Sequence, residues 1–82
     1  MNKLTDIHSL GDHRLELTFS DGFKGVWDAA PMLAREGSLL VALREPAYFA
    51  RCFIDAGALC WPNGLELSPD RLREQVRAPE HA

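Results

Sequence analysis

Alternating apolar and polar residues mark the first third of the chain. Residues 14–19 alternate with the period of a strand that buries one face, and residues 23–28 continue the pattern after the turn sequence Ser20-Asp21-Gly22. Residues 4–10 are placed to form the partner strand before them. The pattern predicts an antiparallel β-meander of three strands over residues 3–28.

The register of the first two strands depends on which residues can be buried. A two-residue loop at 11–12 would place Asp6 on the buried face beside Leu17, whereas a three-residue loop places Ile7 opposite Leu15 or Leu17. Because burying an unpaired carboxylate costs far more than burying an isoleucine, we predict the three-residue loop.

The middle of the chain has the start and stop signals of short, broken helices. Asp28 is placed to cap a first helix and Gly37 to end it. Ser38 is placed to cap a second helix over residues 39–44, which Pro46 ends. The same proline can begin one further helical turn.

The last third returns to strands and ends in a helix. Residues 51–55 and 58–61 flank the turn sequence Ala56-Gly57 and predict a β-hairpin. A brief extended piece at 65–67 precedes Ser68-Pro69-Asp70, which supplies an N-cap, a proline at the first helical position and an acid in the first turn. We therefore predict an α+β fold, with one compact domain over residues 1–78 and a frayed tail over 79–82.

The tetrapeptide Trp61-Pro62-Asn63-Gly64 joins a large aromatic residue to a strong turn sequence. An apolar run leads directly into the proline and the Asn-Gly pair. The sequence favours a structural role for the Trp61 ring, as an anchor where the chain reverses direction, over a binding role. Burial of the ring in the core would decide for the structural role.

The aromatic residues must supply much of the core, because a chain of 82 residues can form only a small one. Dimerisation is a common source of additional stability at this size, so a homodimer is one expected assembly. The side chains that we expect to carry the burial are Phe19, Phe23, Trp27, Tyr48, Phe49, Phe53 and Trp61.

Charge and composition narrow the class of partner. The formal net charge is -3 and the arginines are interleaved with acidic residues, which argues against direct nucleic-acid binding. No signal-peptide pattern begins the chain, and no apolar run approaches the roughly 20 residues that span a bilayer. Two cysteines without metal-type spacing fit a reducing compartment. We expect a cytoplasmic protein that binds no membrane.

Residues with catalytic or metal-binding chemistry form no recognisable motif. His8, His13 and His81 have no ligand spacing with one another or with the cysteines, so we expect exposed histidines and no metal site. Cys52 and Cys60 could meet across a hairpin, but their apolar surroundings favour buried free thiols. We expect no cofactor and name no catalytic residue.

Four side chains admit a functional interpretation beside the structural one. Asp21 normally accepts hydrogen bonds within its turn and Asp28 normally caps a helix, but together with a histidine they could form an acid–base site. Trp27 and Trp61 could border a small-ligand pocket. A small-ligand-binding domain and, more weakly, an enzyme therefore remain as alternatives.

Several motifs together resemble one protein family. They are Leu15 to Asp28 (LELTFSDGFKGVWD), Pro31-Met32-Leu33, the strand region 49–54 and Cys60 to Asp70 (CWPNGLELSPD). They resemble the domain-of-unknown-function 2442 family, whose pattern has a Phe-x-Asp-Gly strand end, a Val-x-Asp strand end, a helical middle and a Trp-Pro-Asn-Gly-x-Asp-x-Ser/Ala-Pro-Asp/Glu ending. This sequence departs from the pattern at Glu66, where family members usually have aspartate, and at Trp27, where they tend to have an aliphatic or small polar residue.

The resemblance implies a compact α+β domain of bacterial proteins without an established enzymatic activity. Longer members carry a helix-turn-helix domain after it, which implies a sensor attached to a DNA reader. This chain ends at Ala82, so we expect the DNA-binding half to be absent. Short members are often encoded beside another small protein, in an arrangement similar to toxin–antitoxin pairs.

We therefore expect a small protein-interaction module, the antitoxin-like partner of a neighbouring small protein. The alternative is a small-ligand-binding or sensor domain of a bacterial regulator that lacks its DNA-binding half. We expect contact at a sheet edge or near the tetrapeptide. The candidate interaction surface comprises Trp61, Pro62, Asn63, Gly64, Asp21 and Asp28.

Overall fold

The computed structural model describes residues 2–76 and has an α+β fold. The elements form two three-stranded antiparallel sheets, β1-β2-β3 and β4-β5-β6, with short helices between them and one helix after them. The predicted tail over 79–82, which includes His81, lies outside the described residues, as do residues 77 and 78. In chain order the elements are β1 (Leu4–Gly11), β2 (Arg14–Phe19), β3 (Lys24–Asp28), α1 (Ala30–Leu33), α2 (Ser38–Leu43), α3 (Pro46–Phe49), β4 (Phe53–Asp55), β5 (Ala58–Cys60), β6 (Glu66–Leu67) and α4 (Pro69–Gln75).

The first sheet buries the face that the alternating pattern predicts. Leu15, Leu17 and Phe19 in β2 are almost completely buried. Leu15 pairs with Trp27 and Leu17 with Gly25, so the two β3 residues face the same side of the sheet. The residues between them, polar in β2 and one valine in β3, lie on the outer face. The predicted meander is confirmed.

The turn between β1 and β2 differs from the prediction, although its register does not. Ile7 pairs with Leu17, as the three-residue loop predicts. The loop itself contains only Asp12 and His13, whose φ values of 53° and 59° match a type I′ turn. A bulge at Leu10 in β1 shifts the register by one residue. The pairing of Ile7, which is half-buried, is predicted correctly, but the predicted loop length is wrong because a bulge supplies the third residue.

The helical middle is confirmed, but its capping is only partly as predicted. Asp28 Oδ1 accepts a hydrogen bond from the first N–H of α1 at 3.0 Å. Gly37 does not end α1; it occupies the N-cap position of α2. Its carbonyl accepts hydrogen bonds from the N–H groups of Leu40 and Val41. Ser38 is therefore the first helical residue, and its side chain makes no capping hydrogen bond.

The second sheet is built around β5. Ala56 and Gly57, with φ values of 52° and 83°, make the tight turn that the sequence predicts between β4 and β5. On the other side of β5, Leu59 pairs with Leu67 of β6. Because it lies between two strands, β5 is buried along its whole length.

Helix α4 begins as predicted and ties the last element to the first sheet. Ser68 Oγ accepts a hydrogen bond from Arg71 N–H at 3.2 Å, which caps the helix. Leu72 buries its side chain in the core. Gln75 Oε1 accepts a hydrogen bond from Trp27 Nε1–H at 2.9 Å, which connects α4 to β3.

A row of three aromatic rings joins the two sheets. Phe49 in α3 lies between Trp27, with ring centroids 6.4 Å apart, and Trp61, with centroids 5.6 Å apart. All three are buried. Phe53 contradicts the expected core, because its side chain is 44% exposed while the next residue, Ile54, packs against the core. The half-buried aromatic residues packed against the core are Phe23 and Tyr48.

Candidate interaction surface

The tetrapeptide forms the turn between β5 and β6. Gly64 N–H donates to the Trp61 carbonyl, and Trp61 N–H donates to the Leu65 carbonyl, both at 3.0 Å. Gly64 has a φ of 97°, as in a type I turn followed by a left-handed glycine. Residues with a Cβ adopt this conformation only with strain, so Gly64 is the residue that allows the chain to re-enter the sheet.

The Trp61 ring lies in the core. It is 1% exposed, and its Nε1–H donates to the Phe49 carbonyl at 2.9 Å. This hydrogen bond satisfies the ring's polar atom, so burial leaves no unpaired donor. The ring has the structural role that the sequence favours, and at 1% exposure it offers almost no surface to a partner.

Asn63 holds the turn against α2. Its Nδ2 donates to the Leu39 carbonyl at 3.0 Å, and its Oδ1 accepts from Leu65 N–H at 3.1 Å. Both ends of the amide are therefore used within the fold. Pro62 and Gly64, on either side, are exposed and form the tip of the turn.

An exposed aromatic residue shares a cleft with this tip. Phe53 pairs with Cys60, and Cys60 pairs with Glu66, so these side chains form one row on the outer face of the second sheet. Phe53 and Pro62 both line a shallow cleft of about 340 Å³. We call this surface the hairpin face and define it by Phe53, Asp55, Pro62, Gly64 and Glu66.

Cys60 is buried beneath the hairpin face, close to acidic groups. Its Sγ lies 4.0 Å from Glu66 Oε2. Burial and then the charges of Glu66 and Asp55 raise the pKa of the Cys60 thiol, and burial raises the pKa of Cys52. Because the thiolate is the reactive form, neither residue is an activated nucleophile. Both cysteines are free; Cys60 is buried as predicted, whereas Cys52 is half-buried.

Asp21 is a turn residue that also pairs with α4. Its Oδ1 accepts from Phe23 N–H at 3.1 Å, and its Oδ2 lies 3.0 Å from Arg73 Nη1. The Phe23 hydrogen bond, followed by Arg73, lowers the pKa of Asp21 below its ordinary value of 3.8. The Arg73 guanidinium also stacks on the Phe23 ring, 4.0 Å from its centroid. Asp21 is therefore an ionised structural residue rather than a poised base.

Asp28 is the last residue of β3, at the opposite end of the strand from Asp21, and borders a second cavity. The five residues of β3 span about 16 Å, so the two carboxylates do not form one site. The cavity is an open groove of about 1230 Å³ between β3, α1, β6 and α4. Glu66 lines both the groove and the cleft at the hairpin face. Other residues of the groove include Arg14, Val26, Met32, Arg35, Arg71 and Val76.

Among the described residues, neither His8 nor His13 forms a side-chain hydrogen bond with Asp21 or Asp28. His13 Nε2 lies 3.1 Å from the Arg44 carbonyl, and the ring contacts Phe49 edge-on. His8 is exposed on β1. Within residues 2–76, no three His, Cys, Asp or Glu side chains converge as metal ligands. In the same part of the chain, no helix is long and apolar enough to cross a membrane.

Comparison with known proteins identifies the family. The family described as Protein of unknown function (DUF2442) matches residues 4–78 of the 82. The chain belongs to the DUF2442 family. The match spans both sheets, so the DUF2442 pattern includes every residue of the hairpin face. No curated protein and no solved structure gives a significant match.

Phe53 is the surface residue of this DUF2442 chain that sequence reasoning misses. Its size suggests the core, but residues two apart in a strand share one face, and Asp55 must face water. The sequence Phe-Ile-Asp therefore indicates an outward Phe53 and an inward Ile54 once β4 is recognised. Glu66, the departure from the family pattern, takes no part in the cap of α4, which Ser68 supplies.

Proposed function

We propose that this DUF2442 chain is a small cytoplasmic protein-interaction module that binds a small protein through the hairpin face. The observation that carries the proposal is Phe53, an aromatic side chain that is 44% exposed on the outer face of a sheet. Aromatic residues are enriched at protein–protein interfaces and supply much of their binding energy. In the antitoxin-like arrangement, the partner is the product of the neighbouring gene.

The hairpin face selects a partner by charge. Asp55 and Glu66 are exposed beside Phe53. Within the described part of the chain, the lining of this cleft contains no lysine or arginine. A complementary partner surface carries an apolar side chain for the cleft and basic residues around it.

The hairpin face is pre-organised for binding. The side chains of Trp61 and Asn63 bond to main-chain carbonyls of the helical segment, and so fix the position of the turn. A rigid surface loses little conformational entropy when a partner binds. This favours binding by the folded chain without prior rearrangement.

Co-expression with the product of the neighbouring gene, followed by size-exclusion chromatography, tests the proposal. We expect the two proteins to co-elute, and Phe53→Ser to abolish co-elution. Leu10→Ser is the matched control, because Leu10 is also 44% exposed but lies in β1 and outside the hairpin face. Separate elution of the wild-type proteins, or unchanged co-elution of Phe53→Ser, would contradict the proposal.

The antitoxin-like role has its own measurement. If the neighbouring protein inhibits growth, wild-type chain should relieve the inhibition and Phe53→Ser should not. Co-elution without any effect on growth would leave the interaction standing and exclude the antitoxin-like role.

A small-ligand-binding or sensor domain is the second candidate function, and the groove beside β3 favours it. Arg14, Arg35 and Arg71 line this groove together with three carboxylates. Guanidinium groups suit carboxylate or phosphate ligands. A thermal-shift screen with metabolites that carry these groups tests it. We expect a ligand that raises the Tm of the wild type but not of Arg71→Ala; the absence of any shift would count against this candidate.

A further inference from the structure

The two edges of the first sheet differ in regularity. β1 forms one edge and has register shifts near both ends, at Thr5 and Leu10, and its Leu4 N–H donates to the Gly57 carbonyl. Bulges of this kind disfavour pairing with another strand. β3 forms the other edge, and its pairing with β2 is continuous over all five residues. β3 is therefore the edge suited to further pairing.

The phase of the β2–β3 ladder determines which main-chain groups of β3 are free. Hydrogen bonds from Phe19 N–H to the Phe23 carbonyl and from Ala29 N–H to the His13 carbonyl bracket the strand. In an edge strand, the main-chain groups of every second residue bond to the neighbouring strand. The main-chain groups of the odd-numbered residues of β3 therefore point towards β2. Main-chain groups at the even positions point away from β2, and nothing within residues 2–76 bonds to them. The even positions are Lys24, Val26 and Asp28.

This free edge opens onto space. Val26 and Asp28 line the groove of about 1230 Å³, so open space lies beside this part of the edge, between β3 and the walls that α1, β6 and α4 form. Phe53 and Pro62 of the hairpin face do not line this groove. A strand bound at the β3 edge would therefore leave those two residues accessible.

The sequence of β3 is complementary to itself in antiparallel pairing. With a twofold axis at Val26, Lys24 lies opposite Asp28 of the second copy, and Val26 lies opposite its own equivalent. These are the residues with free main-chain groups, so each pair can exchange both hydrogen bonds. At the closer positions between them, Gly25 lies opposite Trp27, which is buried within its own chain. Opposite charges on facing residues favour this register.

We propose that two copies of this chain associate edge to edge through β3, with the twofold axis at Val26. Pairing joins the two first sheets into one continuous antiparallel sheet. The inference goes beyond the proposed function, because it concerns the first sheet and a second copy of the same chain, whereas the hairpin face belongs to the second sheet and takes a different partner.

Sedimentation equilibrium of the full chain, from micromolar to millimolar concentration, tests the dimer. We expect a reversible dimer whose Kd rises about tenfold or more in Lys24→Glu, because the change places like charges opposite each other twice. Lys3→Glu is the matched control, with the same charge change outside β3, and should leave the Kd unchanged. Val26→Pro removes the free N–H at the axis and should give monomers whose circular dichroism matches that of the wild type.

Disulfide trapping tests the register. Val26→Cys should cross-link under mild oxidation, because paired Cα atoms about 5.5 Å apart lie within disulfide range. Lys24→Cys should not, since the two copies of position 24 lie about 13 Å apart along the strands. The unmutated chain supplies the background from Cys52 and Cys60.

Three outcomes would overturn the dimer. They are a wild-type monomer at every concentration, an unchanged Kd in Lys24→Glu, or equal cross-linking at positions 24 and 26. If the wild type is monomeric but binds a different protein at this edge, β3 pairs with that protein and not with a second copy. None of these results depends on whether Phe53→Ser affects binding of the neighbouring protein.

Discussion

The two sheets of this chain are stabilised in different ways. The first has strands of eight, six and five residues, and one face of alternating side chains packs into the core. The second has strands of three, three and two residues, too short for strand pairing alone to make it stable. Besides the buried side chain of Leu59, the second sheet is held by two side chains of its turn, Trp61 and Asn63, which bond to main-chain carbonyls of Phe49 and Leu39.

Because of this difference, the two sheets present different kinds of surface to partners. The long strands of the first sheet end in a regular free edge at β3, whereas the short second sheet presents the hairpin face. If the comparison is right, the second sheet should depend on a few anchoring side chains. Loss of a single side-chain hydrogen bond in the first sheet should change the free energy of unfolding less.

The largest effect is expected at Trp61. Trp61→Ala removes a buried ring, and such changes cost about 3–5 kcal/mol, a large part of the roughly 4–12 kcal/mol expected for a chain of this length. Urea denaturation followed by circular dichroism measures it. Trp61→Phe removes the indole donor and leaves the Phe49 carbonyl only the longer hydrogen bond from Cys52 N–H at 3.4 Å, which should cost about 1 kcal/mol beyond the lost area.

Trp27→Phe is the control for the anchor, in the first sheet. Its indole also donates a hydrogen bond, but to the side chain of Gln75, which is exposed and can turn to water. Trp61→Phe should therefore destabilise the chain more than Trp27→Phe. Equal losses in the free energy of unfolding would show that the hydrogen bond to Phe49 stabilises the chain no more than the one to Gln75.

A smaller effect is expected at Asn63. Asn63→Ala removes both amide hydrogen bonds and should lower the free energy of unfolding by about 1–2 kcal/mol. Asn63→Ser keeps a neutral oxygen that can accept from Leu65 N–H and loses the donor to the Leu39 carbonyl, so its loss should be smaller. The same urea series measures both. An Asn63→Ser variant as unstable as Asn63→Ala would assign the whole effect to the contact with α2.

The smallest effect is expected at Asp21 in the first sheet, and it depends on pH. Its pKa is lowered in the fold by the Phe23 hydrogen bond and Arg73, so the ionised carboxylate stabilises the chain above the unfolded value near 3.8. This contribution is lost as the pH falls through the folded pKa. Asp21→Asn should be slightly less stable than the wild type at pH 7, and the difference should vanish in acid.

Stability of both proteins measured from neutral to acidic pH, at low and high salt, checks the Asp21 prediction. Glu36→Gln, a change at an exposed loop residue, is the control for loss of one charge. A difference between Asp21→Asn and wild type that stays constant with pH would show that the ion pair with Arg73 contributes nothing.

Local signals predict much of the candidate site. The Pro-Asn-Gly turn, the Asx turn at Asp21 and the cap at Asp28 each follow from residues that are neighbours in the chain. Gly37 shows the limit of such signals, since glycine suits both the end of one helix and the start of the next. The choice depends on which carbonyl accepts the next helical hydrogen bonds, and that depends on how α2 packs.

The sequence by itself determined the order of strands and helices, the buried face of the meander and the family. The hydrophobic periodicity indicates which residues face solvent, and turn residues indicate local dihedral angles. Both depend on residues that are near neighbours in the chain. Only the tertiary structure decided that Trp61 bonds to Phe49, that Phe53 shares a cleft with Pro62 and that the β3 edge stays open. These features join residues distant in the chain, so they depend on how the whole core packs.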